Sequence, residues 1–280
     1  MRSEVRGILS VMMSGLLLGG PLVGMSQAVD GTKLITQNNA LAGNVTPGDA
    51  PGFPVTISQP GSYRLASNLT VPDENTTAIE ITAENVTLDL NGFTIQGPTV
   101  CGGLPLVCAP TGSGRGVSGG RRGITLVNGT VEGMGNRGVL LGAEARVEQV
   151  RAVSNGENGI SAGEDSVVTG NIASRNGGTG MNAANSTVSG NTASRNGGGG
   201  ISAIACTVTE NIVENNGGTG IFATLGSTVM GNMAFHNGIL GISTAAETGY
   251  NHNVSSNNTG PAIGGTGVSL GQNLCDGVVC

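Results

Sequence analysis

A repeat of 20 or 21 residues constrains this chain more than any other feature of its sequence. Four clear copies begin at residues 169, 189, 209 and 230, and two fainter copies begin at 148 and 251. A repeat of this length is typical of a solenoid, in which each coil buries its apolar face only against its neighbours. The copies contain short β-branched segments bounded by Asn-Gly and Gly-Gly, which predict strands and tight turns rather than helices.

The aligned copies place the same kind of residue at the same position of every coil. Two positions are asparagine, and because stacked strands lie about 4.8 Å apart, we predict that these side chains hydrogen-bond from coil to coil as ladders. Three positions are mostly apolar and need neighbouring coils to cover them. The asparagine columns are Asn171, Asn191, Asn211, Asn232 and Asn253, and Asn155, Asn176, Asn196, Asn216, Asn237 and Asn258. The apolar columns are Ile160, Met181, Ile201, Ile221, Ile242 and Ile263; Val168, Val188, Val208 and Val229; and Ile172, Thr192, Ile212, Met233 and Val254.

Several kinds of solenoid share a repeat of about this length. The segment 206–213 fits the leucine-rich repeat spacing, but Ser166 and Ala173 stand where another copy would need leucine. Left-handed β-helices require a six-residue period, and calcium β-rolls require aspartates that the segments GGTGMN and GGTGIF lack. A right-handed parallel β-helix is the remaining interpretation, so we predict an all-β fold.

The upstream sequence supports this interpretation through a family resemblance. The segments GFPVTISQPGSYRLASNLTV (52–71) and NVTLDLNGFTIQG (85–97), together with the GNxAxxNGGxGI coils, resemble the secreted right-handed β-helix repeat proteins of bacteria, within the pectate-lyase-like superfamily. The resemblance covers about residues 50 to 280. It implies a fold and leaves the function open, because one fold hosts many functions.

The chain is predicted to divide into four segments. Residues 1–28 have the pattern of a signal peptide, with Arg2 and Arg6 before an apolar run and a cleavage site at Ser26-Gln27-Ala28; a membrane anchor is the alternative. Residues 29–80 form an N-terminal segment and cap, 81–263 the β-helix repeats, and 264–280 a C-terminal cap. No other stretch is long enough to span a bilayer, so we expect a mature chain that is secreted, extracellular or periplasmic, without membrane insertion.

Five cysteines suit an oxidising compartment. Local pairing is the simplest connectivity, and it joins Cys101 to Cys108 around a loop and Cys275 to Cys280 in the terminal cap. Cys206 is left over in a column of small residues, which predicts an inward packing residue rather than a reactive thiol. The cysteine spacings match no zinc pattern, and no metal or cofactor is predicted.

Charge and motifs exclude several functions. The net charge of −6 argues against nucleic acid as a partner. The G-x-G-x-x-G match at 114–119 lacks the strand and helix of a nucleotide site. The family resemblance implies three kinds of catalytic motif. Relatives that cleave polyuronates use calcium-binding carboxylates with a catalytic Arg or Lys, those that hydrolyse pectin use paired aspartates with a G-H-G motif, and mannuronan epimerases carry D-P-H-D. None of these motifs is present in this sequence. Asp89 and Glu132 would meet as a carboxylate pair only if the register allowed it, although Asp89 suits a strand-to-turn position better. The sequence therefore does not identify a catalytic residue.

One exposed column is the first candidate for ligand binding: Ser154, Arg175, Arg195, Asn215, His236 and Asn257. Stacked arginines suit a carboxylated polysaccharide, because guanidinium groups match carboxylates, whereas a solvated turn is the alternative interpretation. Phe222 and Phe235 are the aromatic residues expected at the surface. The leading hypothesis is a non-catalytic carbohydrate-binding or structural module. The alternative is a polysaccharide lyase or glycoside hydrolase with an atypical site in the insertion 101–122, near Arg121 and Arg122. The sequence does not define an oligomeric state.

Overall fold

Each coil of the chain contains three short strands that are separated by tight corners. In the computed structural model, which describes residues 31–280, about 11 such coils form a right-handed parallel β-solenoid. The predicted signal peptide at 1–28 lies outside the described residues. The predicted fold, including the asparagine ladders between coils, is confirmed.

Strands of successive coils pair in parallel and form three stacks, named here the first, second and third stack. The first stack contains Lys33–Ile35, Gly61–Leu65, Val86–Asp89, Val167–Thr169, Thr187–Ser189, Thr207–Thr209, Thr228–Met230, Gly249–Asn251 and Val268–Ser269. The second contains Leu69–Thr70, Thr94–Gln96, Ile172–Ser174, Thr192–Ser194, Ile212–Glu214, Met233–Phe235, Val254–Ser256 and Leu274–Cys275. The long strands Thr125–Glu132 and Arg146–Val153 contribute to both. The third contains Val55–Ile57, Ile79–Ile81, Val117–Gly119, Val139–Leu141, Ile160–Ala162, Met181–Ala184, Ile201–Ile204, Ile221–Thr224, Ile242–Thr244 and Ile263–Gly265.

Three elements stand outside this pattern. A six-residue helix, Gln37–Ala42, begins after the N-cap Thr36, whose side chain accepts a hydrogen bond from the Asn39 amide. The strands Val100–Gly102 and Val107–Ala109 form an antiparallel hairpin, and Val278–Val279 folds back on the second stack. Within residues 31–280, no helix is long and apolar enough to cross a membrane.

The core is built from side chains that alternate along each strand. The predicted columns that contain Val188 and Ile201 are buried, except for the half-buried Ile263, as the period of two requires. The column that contains Ile212 and Met233 was expected to be covered and is not, since both side chains are 41% exposed. The reason is the same alternation: the neighbouring residues on both sides of Ile212, Asn211 and Val213, point inward.

Both asparagine columns form continuous ladders inside the solenoid. The Asn171 side-chain amide donates to Asn191 Oδ1 at 3.1 Å, and the Asn191 amide donates to Asn211 Oδ1 at 3.0 Å. The second NH of Asn191 bonds to the Val168 carbonyl at 2.8 Å. The second ladder repeats this arrangement, as in the 2.9 Å bond from Asn176 to Asn196. Each buried side-chain amide therefore has hydrogen-bond partners. A buried polar group needs them because it is removed from water.

Cys206 belongs to a third, shorter ladder. The Ser166 backbone NH donates to Ser186 Oγ, the Ser186 NH donates to Cys206 Sγ at 3.4 Å, and the Cys206 NH donates to Ser227 Oγ. The thiol is 3% exposed and takes the place of a serine hydroxyl. The inward position predicted for Cys206 is therefore confirmed.

Cys206 should resist alkylation while the protein is folded. Burial raises the pKa of this thiol, so the reactive thiolate is scarce at neutral pH. We expect iodoacetamide to leave the folded protein unlabelled and to label one cysteine after unfolding without reductant, because the other four form disulfides. A Cys206→Ser variant should take no label in either state. Labelling of the folded protein at the rate of a free thiol would contradict the buried position.

Candidate ligand-binding groove

The corner that follows the second stack presents one outward side chain per coil. Its backbone is left-handed at every repeat, with φ of 53° at Arg175, 55° at Arg195 and 52° at His236. This conformation costs a residue other than glycine about 1 kcal/mol. It persists because the backbone is held by the next coil, as in the 3.0 Å bond from the Arg195 NH to the Glu214 carbonyl. The corner therefore fixes the backbone and leaves the side chains free to project.

The hairpin of residues 100–109 lies against the same side of the solenoid. Cys101 and Cys108 form a disulfide, and the Cys101 sulfur lies 3.6 Å from the Asn155 carbonyl. The disulfide lies close to Gly177, where a Cβ would approach Cys108 Sγ to 3.2 Å and would come closer still to the Gly156 carbonyl oxygen. Thr99 fixes the base of the hairpin through a 2.6 Å bond to the Pro110 carbonyl. The predicted disulfides, including Cys275–Cys280, are both formed.

A groove of about 630 Å³ separates the hairpin tip from the corner. One wall is the tip, Gly102 to Leu106, and the other is formed by the corners of four successive coils. The lining residues are Gly102, Gly103, Leu104, Pro105, Leu106, Arg175, Arg195, Asn196, Gly197, Asn215, Asn216, Gly217 and His236. No lining residue is acidic, so the groove is an apolar wall facing a basic one.

The two arginines of the groove have no ion-pair partner in the part of the chain that the structure describes. The four ion pairs formed by residues 31–280 are Arg64–Asp89, Arg122–Glu144, Arg137–Glu157 and Arg146–Glu148. Both groove arginines are exposed, and they lie on neighbouring coils, about 4.8 Å apart along the axis. Their guanidinium donors are therefore free for an anion.

The structure brings together some of the predicted site residues and separates others. Arg175, Arg195 and His236 all line the groove. Arg121 and Arg122 do not, because they lie at the corner between the third and first stacks, where Arg122 Nη1 is 3.4 Å from Glu144. The hairpin tip as a wall of the groove was not predicted. The paired cysteines around the uncharged segment GGLPLV were its only signal in the sequence.

The remaining candidates do not form a shared site. Asp89 aligns with Val127 and bonds to Arg64 and to the Asn91 NH, as a strand-to-turn residue does. Glu132 aligns with Gln96 instead, so the two carboxylates do not face each other. Phe222 is 46% exposed beside a depression of about 240 Å³, whereas Phe235 is half-buried. Across residues 31–280, no three His, Cys, Asp or Glu side chains gather as a metal site would need.

Sequence comparison connects the solenoid with one family. The family model described as right handed beta helix region matches residues 115–270, which is more than half of the chain. Comparison with curated proteins gives no significant match.

Solved structures with the same fold are distant in sequence. The Agl-KA catalytic domain is 12% identical with a TM-score of 0.58, over 79% of this chain and 57% of that one. The periplasmic alginate epimerase AlgG is 12% identical with a TM-score of 0.53, over 86% and 82%. The Dettilon tailspike protein is 14% identical with a TM-score of 0.52, over 83% and 56%. The chain thus spans little more than half of the tailspike and of the Agl-KA domain, and the likeness concerns the fold.

Proposed function

The chain belongs to the right-handed β-helix family, and from this premise we propose that it binds an acidic polysaccharide in the groove beneath the disulfide hairpin. One observation carries the proposal: two arginines on neighbouring coils line the groove without any ion-pair partner among the described residues. Exposed cations in a cleft without acidic residues attract anionic ligands.

The shape of the groove favours an extended ligand that runs along the solenoid axis. Its basic wall extends from Arg175 to His236 over four coils, which is about 14 Å at the strand spacing. Guanidinium groups bind carboxylates and sulfates with two parallel hydrogen bonds, so a chain of acidic sugars would meet a donor at successive positions. Leu104 and Leu106 on the opposite wall suit the less polar faces of sugar rings. These features support a polysaccharide better than a small anion.

Cleavage of the same polysaccharide is a second candidate. His236 favours it, since an imidazole placed beside bound substrate transfers protons in many enzymes. Hydrolysis by a carboxylate pair is not favoured, because none of the residues that line the groove is acidic. Polyuronates incubated with the protein should be examined for new unsaturated or reducing ends. If such ends appear, the protein is a lyase or a hydrolase rather than a binding protein.

Export of the protein forms part of the proposal. Two disulfides suit an oxidising compartment outside the cytoplasm, where acidic polysaccharides occur. Residues 1–28 would be removed on export. Residues 29–280 are the natural material for the experiments below, since every buried hydrophobic residue that the structure describes lies between Ile35 and Ala262.

The double variant Arg175→Asn/Arg195→Asn should bind polyuronate at least about tenfold more weakly, because each charge-assisted hydrogen bond contributes about 1.5–3 kcal/mol in protein interactions. Its melting temperature should stay the same or rise, since asparagine tolerates a left-handed backbone better than arginine does. Calorimetric titration with polygalacturonate and alginate measures the affinity.

Arg151→Asn is the control for the loss of polyuronate affinity in the double variant. Arg151 is exposed on a neighbouring coil and does not line the groove, so its replacement removes one charge without touching the site. Equal losses in the control and in the double variant would show a nonspecific charge effect. Unchanged binding by the double variant would refute the groove as the binding site.

A further inference from the structure

The hairpin above the groove has an apolar outer face. Leu104 at the tip is fully exposed, and Val100 and Val107 are 72% and 64% exposed. Cys101 and Cys108 point the other way, toward the solenoid, because side chains alternate along each strand. No charged residue occurs from Gln96 to Gly114. The outer face of the hairpin is thus uncharged and apolar, and its tip ends in an exposed leucine.

Binding of a polysaccharide in the groove does not explain this outer face. Val100 and Val107 are absent from the groove lining, so a ligand in the groove would leave both in water. Apolar residues grouped on one side of a molecule mark a contact surface, whereas isolated ones do not.

We propose that this side of the protein docks on an anionic lipid surface, with the hairpin tip in the outer part of the acyl layer and Arg175 and Arg195 at the headgroups. Interfacial elements bury their apolar side chains about 5–10 Å into the boundary of headgroups and acyl chains, and Leu104, Val100 and Val107 present exposed apolar side chains of this kind. Arginines near such a surface are attracted by anionic headgroups.

A lipid suits the tip better than a protein partner does. The segment Gly102 to Leu106 has glycine, leucine and proline side chains only, so it makes no directional side-chain contact. An acyl layer forms no directional contacts with the side chains that enter it, whereas specific protein interfaces surround an apolar centre with a rim of hydrogen-bonding residues. The proposal goes beyond the polysaccharide function, and the two ligands would compete for Arg175, Arg195 and Leu104, which line the groove.

A single tryptophan can report the insertion, because the chain contains none. Leu104→Trp should shift its fluorescence to shorter wavelength when phosphatidylglycerol vesicles are added, and phosphatidylcholine vesicles should cause a smaller shift. Leu225→Trp is the matched control, since Leu225 is 67% exposed at a different corner of the solenoid. No shift is expected for it. Equal responses of the two variants would overturn the proposal.

Sedimentation with the same vesicles measures the affinity. Leu104→Asp should bind phosphatidylglycerol vesicles at least about tenfold more weakly than the parent, because the tip loses its apolar side chain, whereas Leu225→Asp should bind like the parent. Failure of the parent to sediment with these vesicles would overturn the proposal. So would a dimer of the parent that Leu104→Asp dissociates, since the tip would then contact a second copy. Failure of the parent to sediment does not affect the polysaccharide titration, because that titration contains no lipid.

Discussion

Replacing Asn191 with leucine is expected to lower the free energy of unfolding by at least about 3 kcal/mol. Asn191 Oδ1 accepts from both the backbone NH and the side-chain amide of Asn171, at 2.9 and 3.1 Å. Its own amide donates to Val168 and Asn211. Leucine leaves these buried groups short of a partner, each at a cost of about 1–3 kcal/mol. Urea unfolding followed by circular dichroism measures the loss.

Asn182→Leu provides the matched control for the ladder. It is the same substitution on a neighbouring strand, but Asn182 points outward and is exposed. Its replacement should change the stability by no more than about 0.5 kcal/mol. If Asn182→Leu unfolded as early as Asn191→Leu, the inward and outward assignments of these two columns would be wrong.

Gly200→Val should destabilise the protein by about 3 kcal/mol or more. Gly200 ends the run of four glycines, and a Cβ at this position would lie 2.6 Å from the Gly220 carbonyl oxygen and 2.9 Å from the Asn216 amide. Both groups belong to the next coil. Larger side chains must therefore separate two coils or displace a rung of the second ladder. Thermal unfolding of the purified variant tests this expectation.

Gly190→Asn tests whether glycine is needed at every corner. The backbone there is left-handed, with φ of +63°, but a Cβ would have no atom nearer than 4.0 Å. Asparagine accepts this conformation, so the melting temperature should remain close to that of the parent. Strong destabilisation by Gly190→Asn would mean that the corners, rather than the contacts between coils, require glycine.

The periodicity of the sequence was sufficient to predict the repeating part of the fold. A step of 20 or 21 residues brings Asn171, Asn191 and Asn211 into one column, and a buried amide needs the partner that the next coil supplies. The same periodicity did not separate the outward Ile212 from the inward Val213, because both are β-branched and adjacent. Only the strand register decides which of the two is buried.

The groove could be predicted only on its repeating side. Arg175 and Arg195 stood out because they occupy equivalent positions of aligned coils. The hairpin has no counterpart in the other coils, so alignment of the repeats contains no information about where it folds. The side of the solenoid on which the hairpin packs depends on long-range contacts, such as the contact between the Cys101 sulfur and the carbonyl of Asn155, 54 residues away. The proximity of Arg121 and Arg122 to this insertion in the sequence was therefore no guide to their position.

The aligned amides of the asparagine ladders give the solenoid a dipole along its axis. In both ladders one NH of each linked side-chain amide donates to the asparagine of the coil that follows, so the accepting side-chain carbonyls point toward the N-terminal coils. Amide dipoles that are aligned head to tail add together, as they do along a helix, and the C-terminal end becomes the more positive one. An anionic polymer lying beside the ladders would consequently meet different potentials at its two ends. Its two orientations along the axis would differ in energy even if the arginines bound both equally well.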